Sequence, residues 1–367
     1  MNIVWFSWKD INHPEAGGAE RVSDQLRVRL AKDGHSVTLI TASYKNERED
    51  EIVDGVHVLR AGNRYSVYIK ARKLYKNLPP QDLVVDEMNT IPFMASFYRG
   101  PAKAILLTYQ LARSVWFHQM SFPLSFIGYV LEPIYLRLIS SRYSLVLTES
   151  ESTKTDLSKH GFKLDNIEVF RVGMDAEKIK SLDIPKTAGS IIFLGALRPM
   201  KQPIDAIKAF ELARDTDPEL TFTMIGNDTG TYAEKVTAYA NDSRHAKAIH
   251  MLGRVNETEK TKLLRSAELI LVTSVKEGWG LIVTEANSQG TPAVVYDTDG
   301  LRDSVQANKT GYVVPSGNSQ AMADAILELL QDKQAYKLLR LNAFEHSKQF
   351  TYKNSYTDFC NAIDKVI

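Results

Sequence analysis

Short apolar runs alternate with amphipathic helical stretches along most of the chain, and this alternation is the strongest constraint on the fold. NIVWFSW is followed by AERVSDQLRVRLAKDG and HSVTLIT, and the strand-like runs DLVVDE, AKAILLTY and YSLVLTES come later. A second series begins with SIIFLGAL and includes LTFTMIG, AIHMLGRV, AELILVTS and PAVVYD. Strands that alternate with helices form parallel sheets. The order therefore predicts an α/β chain with two doubly wound, Rossmann-like domains.

The length and one linker-like segment predict where the domains meet. A chain of 367 residues is too long for one compact core. Residues 173–190, between the two series, have no apolar periodicity and contain Pro185 and Gly189, as linkers often do. We therefore expect an N-terminal domain over 1–184 and a C-terminal domain over 185–349.

Charge and cysteine content restrict the partners and the compartment. The 45 Lys and Arg nearly balance the 44 Asp and Glu, so no attraction of the whole chain to nucleic acid is indicated. The single Cys360 excludes an intrachain disulfide and suits a reducing compartment. MNIVWFSWKD lacks the basic start and the cleavage site of a secretion signal, so we expect a cytoplasmic chain.

Glycines and cations follow the first strand of each series. Neither series has G-x-G-x-x-G there, which removes the main support for a dinucleotide-binding dehydrogenase. In HPEAGGAE, Gly17 and Gly18 open a helix whose N–H groups suit an anion, although they would equally serve a tight turn. In GALRPMKQP, Arg198 and Lys201 suit a diphosphate, although such a pair alone would also fit solvated loop cations.

Two acids accompany a glycine-flanked helix start in EGWGLIVTEANSQGTP, residues 277–292. Glu277 lies in the loop, and Glu285 lies just over one turn into the helix. Carboxylates accept hydrogen bonds from sugar and ribose hydroxyls, while N–H groups at a helix start suit phosphate oxygens. The segment therefore suits a nucleotide sugar. The N–H groups belong to Gly278, Trp279, Gly280 and Leu281.

Several segments, in this order and spacing, resemble the family 4 glycosyltransferases. They are HPEAGGAE, VGMD (172–175), GALRPMKQP, LGRV (252–255), EGWGLIVTEANSQGTP, and GLRDSV with GYVVP (300–315). The resemblance implies a GT-B architecture, in which two Rossmann-like domains face across a cleft and the C-terminal domain holds most of the nucleotide-sugar donor. It also implies that the last helix, within 350–367, completes the N-terminal domain.

The resemblance also implies roles for individual residues. Glu285 would bind the ribose hydroxyls and Glu277 the hydroxyls of the transferred sugar. Arg198 and Lys201 would bind the diphosphate, so the catalytic candidates are these two cations and Glu277. The family retains anomeric configuration without a metal, so we expect no metal and no cofactor. The donor-binding candidates are Gly18, from the opposite domain, Val255, Gly278, Trp279, Gly280, Leu281 and Glu285.

Two segments depart from this pattern or compete with it. In LLTYQLARSVWF (106–117) this chain has Tyr109 where relatives carry a histidine, so the resemblance does not carry over the histidine's contact to the sugar. Tyr109 and Asn89 are our acceptor-side or sugar-side candidates. We interpret His118 as a packed or half-exposed residue. The D-T-D at 297–299 resembles the metal-binding D-x-D of single-domain glycosyltransferases, but a turn rich in Asp, Thr and Gly also explains it.

Two further segments favour a membrane-linked acceptor. Residues 60–76 carry Arg and Lys without an acid, interleaved with tyrosines, and 116–139 are aromatic and apolar. Together they suit an anionic membrane. Residues 60–76 would equally fit a solvated basic helix, and residues 116–139 would equally fit interdomain core.

The sequence as a whole predicts a retaining, metal-independent hexosyltransferase. It would transfer a sugar from a UDP- or GDP-sugar to a glycan or lipid-linked acceptor in polysaccharide or glycoconjugate biosynthesis. A non-catalytic sugar-nucleotide-binding subunit and another GT-B activity, such as a phosphorylase or an epimerase, stay open. The expected location is cytoplasmic, with peripheral contact at the inner face of the membrane.

Overall fold

The computed structural model describes residues 1–45, 47–174, 179 and 181–367. These residues form two compact units, Met1–Gly173 with Phe350–Ile367, and Met174–Gln349. In this part of the chain each unit contains a parallel or largely parallel sheet covered by helices, which confirms the predicted α/β class. Asp175, the last residue of VGMD, lies outside the described residues.

The strands of the described residues form two sheets. The first sheet has the order β3-β4-β2-β1-β5-β6-β7-β8, in which β3 and β4 are antiparallel. The second has the order β11-β10-β9-β12-β13-β14. Strand bounds are β1 (Asn2–Phe6), β2 (Ser36–Thr41), β3 (Asp50–Val53), β4 (Val56–Arg60), β5 (Leu83–Met88), β6 (Lys103–Thr108), β7 (Leu145–Thr148), β8 (Ile167–Val169), β9 (Ser190–Leu194), β10 (Thr221–Ile225), β11 (Ile249–Gly253), β12 (Leu269–Val272), β13 (Ala293–Tyr296) and β14 (Gly311–Val314).

Helices connect the strands, and their apolar faces pack on the sheets. In the first helix Val22, Leu26 and Leu30 recur every four residues and are buried. Helix bounds are α1 (Gly18–Lys32), α2 (Val67–Lys76), α3 (Trp116–Gln119), α4 (Leu124–Ile139), α5 (Glu151–Lys159), α6 (Pro203–Thr216), α7 (Thr231–Asn241), α8 (Glu257–Ser266), α9 (Leu281–Ser288), α10 (Leu301–Ser304), α11 (Ser319–Gln331), α12 (Lys333–Ser347) and α13 (Tyr352–Ile363).

The boundary between the units follows Gly173 and so lies before the position expected near residue 185. The segment that follows packs on the second unit. Arg340 Nη2 donates to the Ile184 carbonyl at 2.8 Å, and Lys186 Nζ donates to the Arg265 carbonyl at 2.9 Å. Both contacts are polar and join residues far apart in the chain. The absence of apolar periodicity in 173–190 therefore gave no sign that this segment packs on the second unit.

Helix α13 belongs to the first unit although it ends the chain. The Phe359 ring is fully buried and stacks on Trp5 of β1, with ring centroids 5.6 Å apart. Arg171 holds Asp358 through two charge-assisted hydrogen bonds of 2.7 and 2.6 Å. Stacking and ion pairing together fix α13 to this unit.

One cation of the basic segment 60–76 is buried rather than exposed. Arg60 Nε lies 2.6 Å from Asp10 Oδ2, and Nη1 lies 2.5 Å from Glu51 Oε1. These carboxylates offset the cost of removing the guanidinium from water. Arg60 is therefore removed from the predicted membrane-facing set. The exposed cations of the segment are Arg64, Lys70, Arg72, Lys73 and Lys76.

Across the described ranges, none of the helices has both the length and the apolar character needed to cross a bilayer.

We predict that Phe359→Ala lowers the free energy of unfolding of the first unit by about 3–5 kcal/mol, since it removes a buried ring and the stacking of that ring on Trp5. Urea denaturation followed by near-ultraviolet circular dichroism measures this loss. Phe359→Leu is the matched control and should lose much less, because it keeps most of the buried apolar volume. Equal losses in the two variants would contradict the packing role of the ring.

Candidate functional site

In the second sheet the strand order reverses between β9 and β12. These strands are direct neighbours, so the loops that leave their carboxyl ends lie side by side. Open α/β sheets bind ligands at such a switch point. The loop after β9 carries Arg198 and Lys201, and the loop after β12 carries Glu277.

Lys201 and Glu277 form an ion pair between these two loops. Lys201 Nζ donates to Glu277 Oε1, which also accepts a hydrogen bond from Ser274 Oγ at 2.6 Å. The side chains of Lys201 and Glu277 remain 25% and 15% exposed, so solvent and small ligands reach the pair. The structure thus brings two predicted site residues together. Sequence reasoning missed Ser274, whose only signal was a hydroxyl two residues after a strand.

The backbones of the two loops are also joined. The Thr273 hydroxyl, which is buried, lies 2.8 and 2.9 Å from the carbonyl oxygens of Lys201 and Gln202. The Val275 N–H donates to the Met200 carbonyl at 2.9 Å. Because these bonds connect the loops next to the ion pair, they restrict the movement of Lys201 relative to the loop of Glu277.

A third loop, after β13, contacts the backbone of Glu277. The Glu277 N–H donates to the Asp299 carbonyl at 3.0 Å. At Gly300 the backbone has φ +78°, and a Cβ atom there would lie 2.2 Å from the Glu277 carbonyl oxygen. Only glycine avoids both the strain and the clash. Gly300 therefore sets the position of the loop that carries Glu277.

The predicted phosphate-binding N–H groups lie at the start of helix α9. Gly280 is the N-cap, with φ +91°, and Leu281 is the first residue of the helix. Trp279 Nε1 donates to Thr284 Oγ1 at 2.9 Å, so the indole folds back on the first turn. Gly278 is buried between Glu277 and this turn. The positive end of the helix dipole thus lies four positions after Glu277 in the chain.

Glu285 faces a lysine that the sequence did not indicate. Lys260 Nζ of α8 lies 3.0 Å from Glu285 Oε2 and 2.6 Å from Glu257 Oε2. Burial works to lower the pKa of Lys260, but Glu285 and Glu257 together hold it above its ordinary value. Glu285 is 19% exposed. Lys260 and Glu285 are 25 residues apart in the chain. They meet because helices α8 and α9 are in contact, so the sequence alone did not indicate the pair.

Arg198 and Val255 have different environments. Arg198 is exposed at the start of a short 3₁₀ turn, Pro199–Lys201, and its side chain has no ion-pair partner within the described residues. Val255 is partly buried and packs on the apolar cluster that contains Ile192 and Val272. Arg198 is thus free to meet a ligand, whereas the Val255 side chain contributes to the core beside the site.

Both acids of D-T-D are paired with cations. Arg302 lies 2.6 Å from Asp297 Oδ1 and 2.7 Å from Asp299 Oδ1, and Lys276 Nζ lies 3.0 Å from Asp299 Oδ2. Where the chain is described, no group of three or more His, Cys, Asp and Glu side chains is arranged to hold a metal ion. These ion pairs give both carboxylates a structural role in the turn.

In the first sheet the order reverses between β1 and β5, and two predicted residues follow these strands. Gly18 is the exposed first residue of α1, and Glu20 caps this helix by accepting the Gly17 N–H at 2.7 Å. Asn89 follows β5 and is half buried, and its Nδ2 has no hydrogen-bond partner in the described part of the chain. A buried amide without a partner suits a ligand hydroxyl.

Tyr109 follows β6 and is buried against helix α1. Its hydroxyl lies 2.5 Å from Ser23 Oγ and donates to the Ala19 carbonyl at 3.1 Å. Burial raises the pKa of Tyr109 well above its ordinary value, so the phenol stays neutral. Because its one proton is used by Ala19, the hydroxyl holds the start of α1 instead of offering a donor to a sugar. His118 is exposed on α3.

Comparison with known families matches both units. Residues 16–178 match the model of Glycosyltransferase Family 4, and residues 174–346 match that of Glycosyl transferases group 1. A D-inositol 3-phosphate glycosyltransferase of Corynebacterium glutamicum (strain R) is 30% identical, over 51% of this chain and 46% of that protein. The chain spans about half the length of these curated relatives.

Solved structures match the whole fold. A sucrose-phosphate synthase from Thermosynechococcus elongatus has a TM-score of 0.79 at 17% identity, over 100% of this chain and 98% of that chain. HepE from Anabaena, solved in complex with UDP-glucose, has a TM-score of 0.73 at 16% identity, over 100% of both chains. These similarities confirm the predicted GT-B fold.

We predict that Gly300→Ala weakens binding of a nucleotide sugar, because the new Cβ displaces the Glu277 carbonyl. Gly317→Ala is the matched control: its φ is +74°, but nothing lies within 4 Å of the new Cβ. Both variants should lose about 1–2 kcal/mol of stability from the left-handed backbone, and Gly300→Ala should lose more. Calorimetric titration with UDP-glucose and GDP-mannose, alongside thermal unfolding, measures both effects. Unchanged donor affinity in folded Gly300→Ala would refute the role of Gly300.

Proposed function

The chain belongs to the family 4 glycosyltransferases, and from this premise we propose that it transfers a hexose from a nucleotide-sugar donor to an acceptor hydroxyl. The observation that carries the proposal is the Lys201–Glu277 ion pair at the switch point between β9 and β12. A cation for the diphosphate and a carboxylate for the sugar hydroxyls meet there, beside a helix N-terminus.

The donor is a UDP- or GDP-sugar, and we assign its parts to separate groups of the second unit. Glu285 accepts the ribose hydroxyls, while Lys201, Arg198 and the first N–H groups of α9 bind the diphosphate. Glu277 accepts hydroxyls of the transferred sugar. UDP is supported by HepE, a similar structure that was solved with UDP-glucose.

The proposed reaction exchanges one bond at the anomeric carbon. The acceptor oxygen bonds to that carbon on the face from which the diphosphate leaves, so configuration is retained. The carbon–oxygen bond to the diphosphate breaks with its electron pair on the diphosphate, which takes up the acceptor proton. Arg198 and Lys201 stabilise the negative charge that develops on the leaving group, so no metal and no cofactor are needed.

The first unit supplies the acceptor side. The unpartnered amide of Asn89 supports a contact to an acceptor or sugar hydroxyl, and the exposed Gly18 at the start of α1 suits a phosphate or sugar. The acceptor is a glycan or a lipid-linked molecule. We place the reaction at the inner face of a membrane, with peripheral contact through the exposed side chains of residues 64–76 and 116–139.

We predict that Glu285→Gln weakens free nucleoside diphosphate and nucleotide sugar alike, whereas Glu277→Gln weakens only the nucleotide sugar. Each loss should be roughly tenfold or more, since a hydrogen bond to a charged group is removed. Titration calorimetry with UDP, UDP-glucose, GDP and GDP-mannose separates the two effects. Glu257→Gln is the matched control, because Glu257 shares Lys260 with Glu285 but is 64% exposed. Equal losses of UDP and UDP-glucose in both site variants would refute the assignment.

We predict that Lys201→Ala lowers turnover by roughly 10²-fold at saturating donor, because the leaving diphosphate loses the positive charge that stabilises it. Donor affinity should fall less, since the charge develops during the reaction. Initial rates of nucleoside diphosphate release measure turnover, and Lys208→Ala, an exposed lysine of α6, is the control. EDTA should leave the rate unchanged. Full turnover in Lys201→Ala, or loss of activity in EDTA, would contradict the mechanism.

A further inference from the structure

Helix α4 presents its apolar side chains to solvent. Leu124, Ile127, Leu131, Ile134 and Leu138 recur every three or four residues and are 46–58% exposed. Helices of globular proteins normally bury such a stripe. The buried side chains of α4 lie on the opposite face. Two of them are polar, Ser125 and Glu132, and two are apolar, Leu136 and Ile139.

A buried carboxylate fixes this orientation of α4. Glu132 is 1% exposed and accepts hydrogen bonds from the Ala112 and Arg113 N–H groups, both at 2.7 Å, and from Trp116 Nε1 at 3.0 Å. Gly128, one turn earlier, lies so close to Trp116 that a Cβ atom there would be 2.5 Å from the ring. Rotating the apolar stripe inward would break these contacts and leave backbone donors without partners.

The cations of α2 lie on the same face of the first sheet as α4. Tyr68 of α2 and Tyr135 of α4 both pack on one core cluster, and Tyr68 also contacts the ring of Phe93 at 4.7 Å. Helix α2 contains no acid, and its charged side chains are exposed. One helical layer therefore carries an apolar stripe beside a cationic helix. The cations are Lys70, Arg72, Lys73 and Lys76.

We propose that this layer docks on an anionic lipid bilayer, with the α4 stripe in the headgroup and acyl boundary and the α2 cations against lipid phosphates. The inference rests on the proposed membrane-linked acceptor, and it specifies which side chains enter the bilayer. Helix α4 lies flat in the interface, and Arg137 near its end, which is exposed, reaches the headgroups.

Charge favours a bilayer over a second copy of this chain. In a two-fold dimer the same patch lies on both partners. The α2 cations would then approach the equivalent cationic layer of the other copy, and the one acid of α4, Glu132, is buried and already hydrogen-bonded. Anionic lipid supplies the negative charge that these two helices lack.

Vesicle cosedimentation of the full chain tests the proposal. The vesicles are phosphatidylcholine alone, and phosphatidylcholine with phosphatidylglycerol in a two-to-one ratio. We expect binding to the anionic vesicles that weakens with salt. The double variant Ile127→Ser, Ile134→Ser should reduce it roughly tenfold, and Lys70→Ala and Lys73→Ala roughly fivefold each. Leu338→Ser and Lys337→Ala, exposed on α12, are matched controls and should leave binding unchanged.

Three results would overturn the docking proposal. They are no binding to anionic vesicles, equal losses in the α4 variants and the α12 controls, and a dimer in analytical ultracentrifugation that Ile127→Ser, Ile134→Ser dissociates. Donor binding, measured by calorimetry without vesicles, should be unchanged in the α4 and α2 variants. Failure of vesicle binding with intact donor binding therefore refutes only the membrane surface, whereas absent donor binding refutes the proposed function.

Discussion

The reversal of strand order between β9 and β12 is the constraint on which the candidate site depends. Parallel pairing brings the carboxyl ends of these strands to one edge, and the Thr273 hydroxyl then joins the backbones of the two loops. Lys201 and Glu277 are 76 residues apart in the chain but meet because of this edge. The polar contacts of the site are thus a consequence of sheet topology.

The Lys201–Glu277 pair also joins the side chains of the two loops. Both side chains are partly exposed, so their pairing contributes on the order of 1 kcal/mol or less. In the proposed function, a diphosphate carries more negative charge than one carboxylate and competes with Glu277 for Lys201. The released Glu277 then accepts hydrogen bonds from sugar hydroxyls. A pair of this strength holds both groups in position, and under the proposed function it separates at little cost when a donor binds.

The sequence predicted the features that depend on local pattern. Apolar alternation predicted both sheets, and glycine-flanked loops after strands predicted the region of Lys201 and Glu277. Pattern did not predict contacts between distant polar groups. Arg60 is buried by Asp10 and Glu51, and the Tyr109 hydroxyl is used by the Ala19 carbonyl. Such partners depend on how helices and strands pack against each other. The spacing of residues within one helix or strand does not encode that packing.

Helix α4 shows the same limit for orientation. Its apolar spacing, taken alone, would turn the stripe from Leu124 to Leu138 toward the core, as in most surface helices. Glu132 reverses this orientation, because its carboxylate satisfies two backbone N–H groups that would otherwise be buried without partners. Burial raises the pKa of Glu132, and the hydrogen bonds from Arg113 and Ala112 oppose that rise. The buried face of α4 thus combines the polar anchor Glu132 with the core residues Leu136 and Ile139, and these together decide which side of the helix meets solvent.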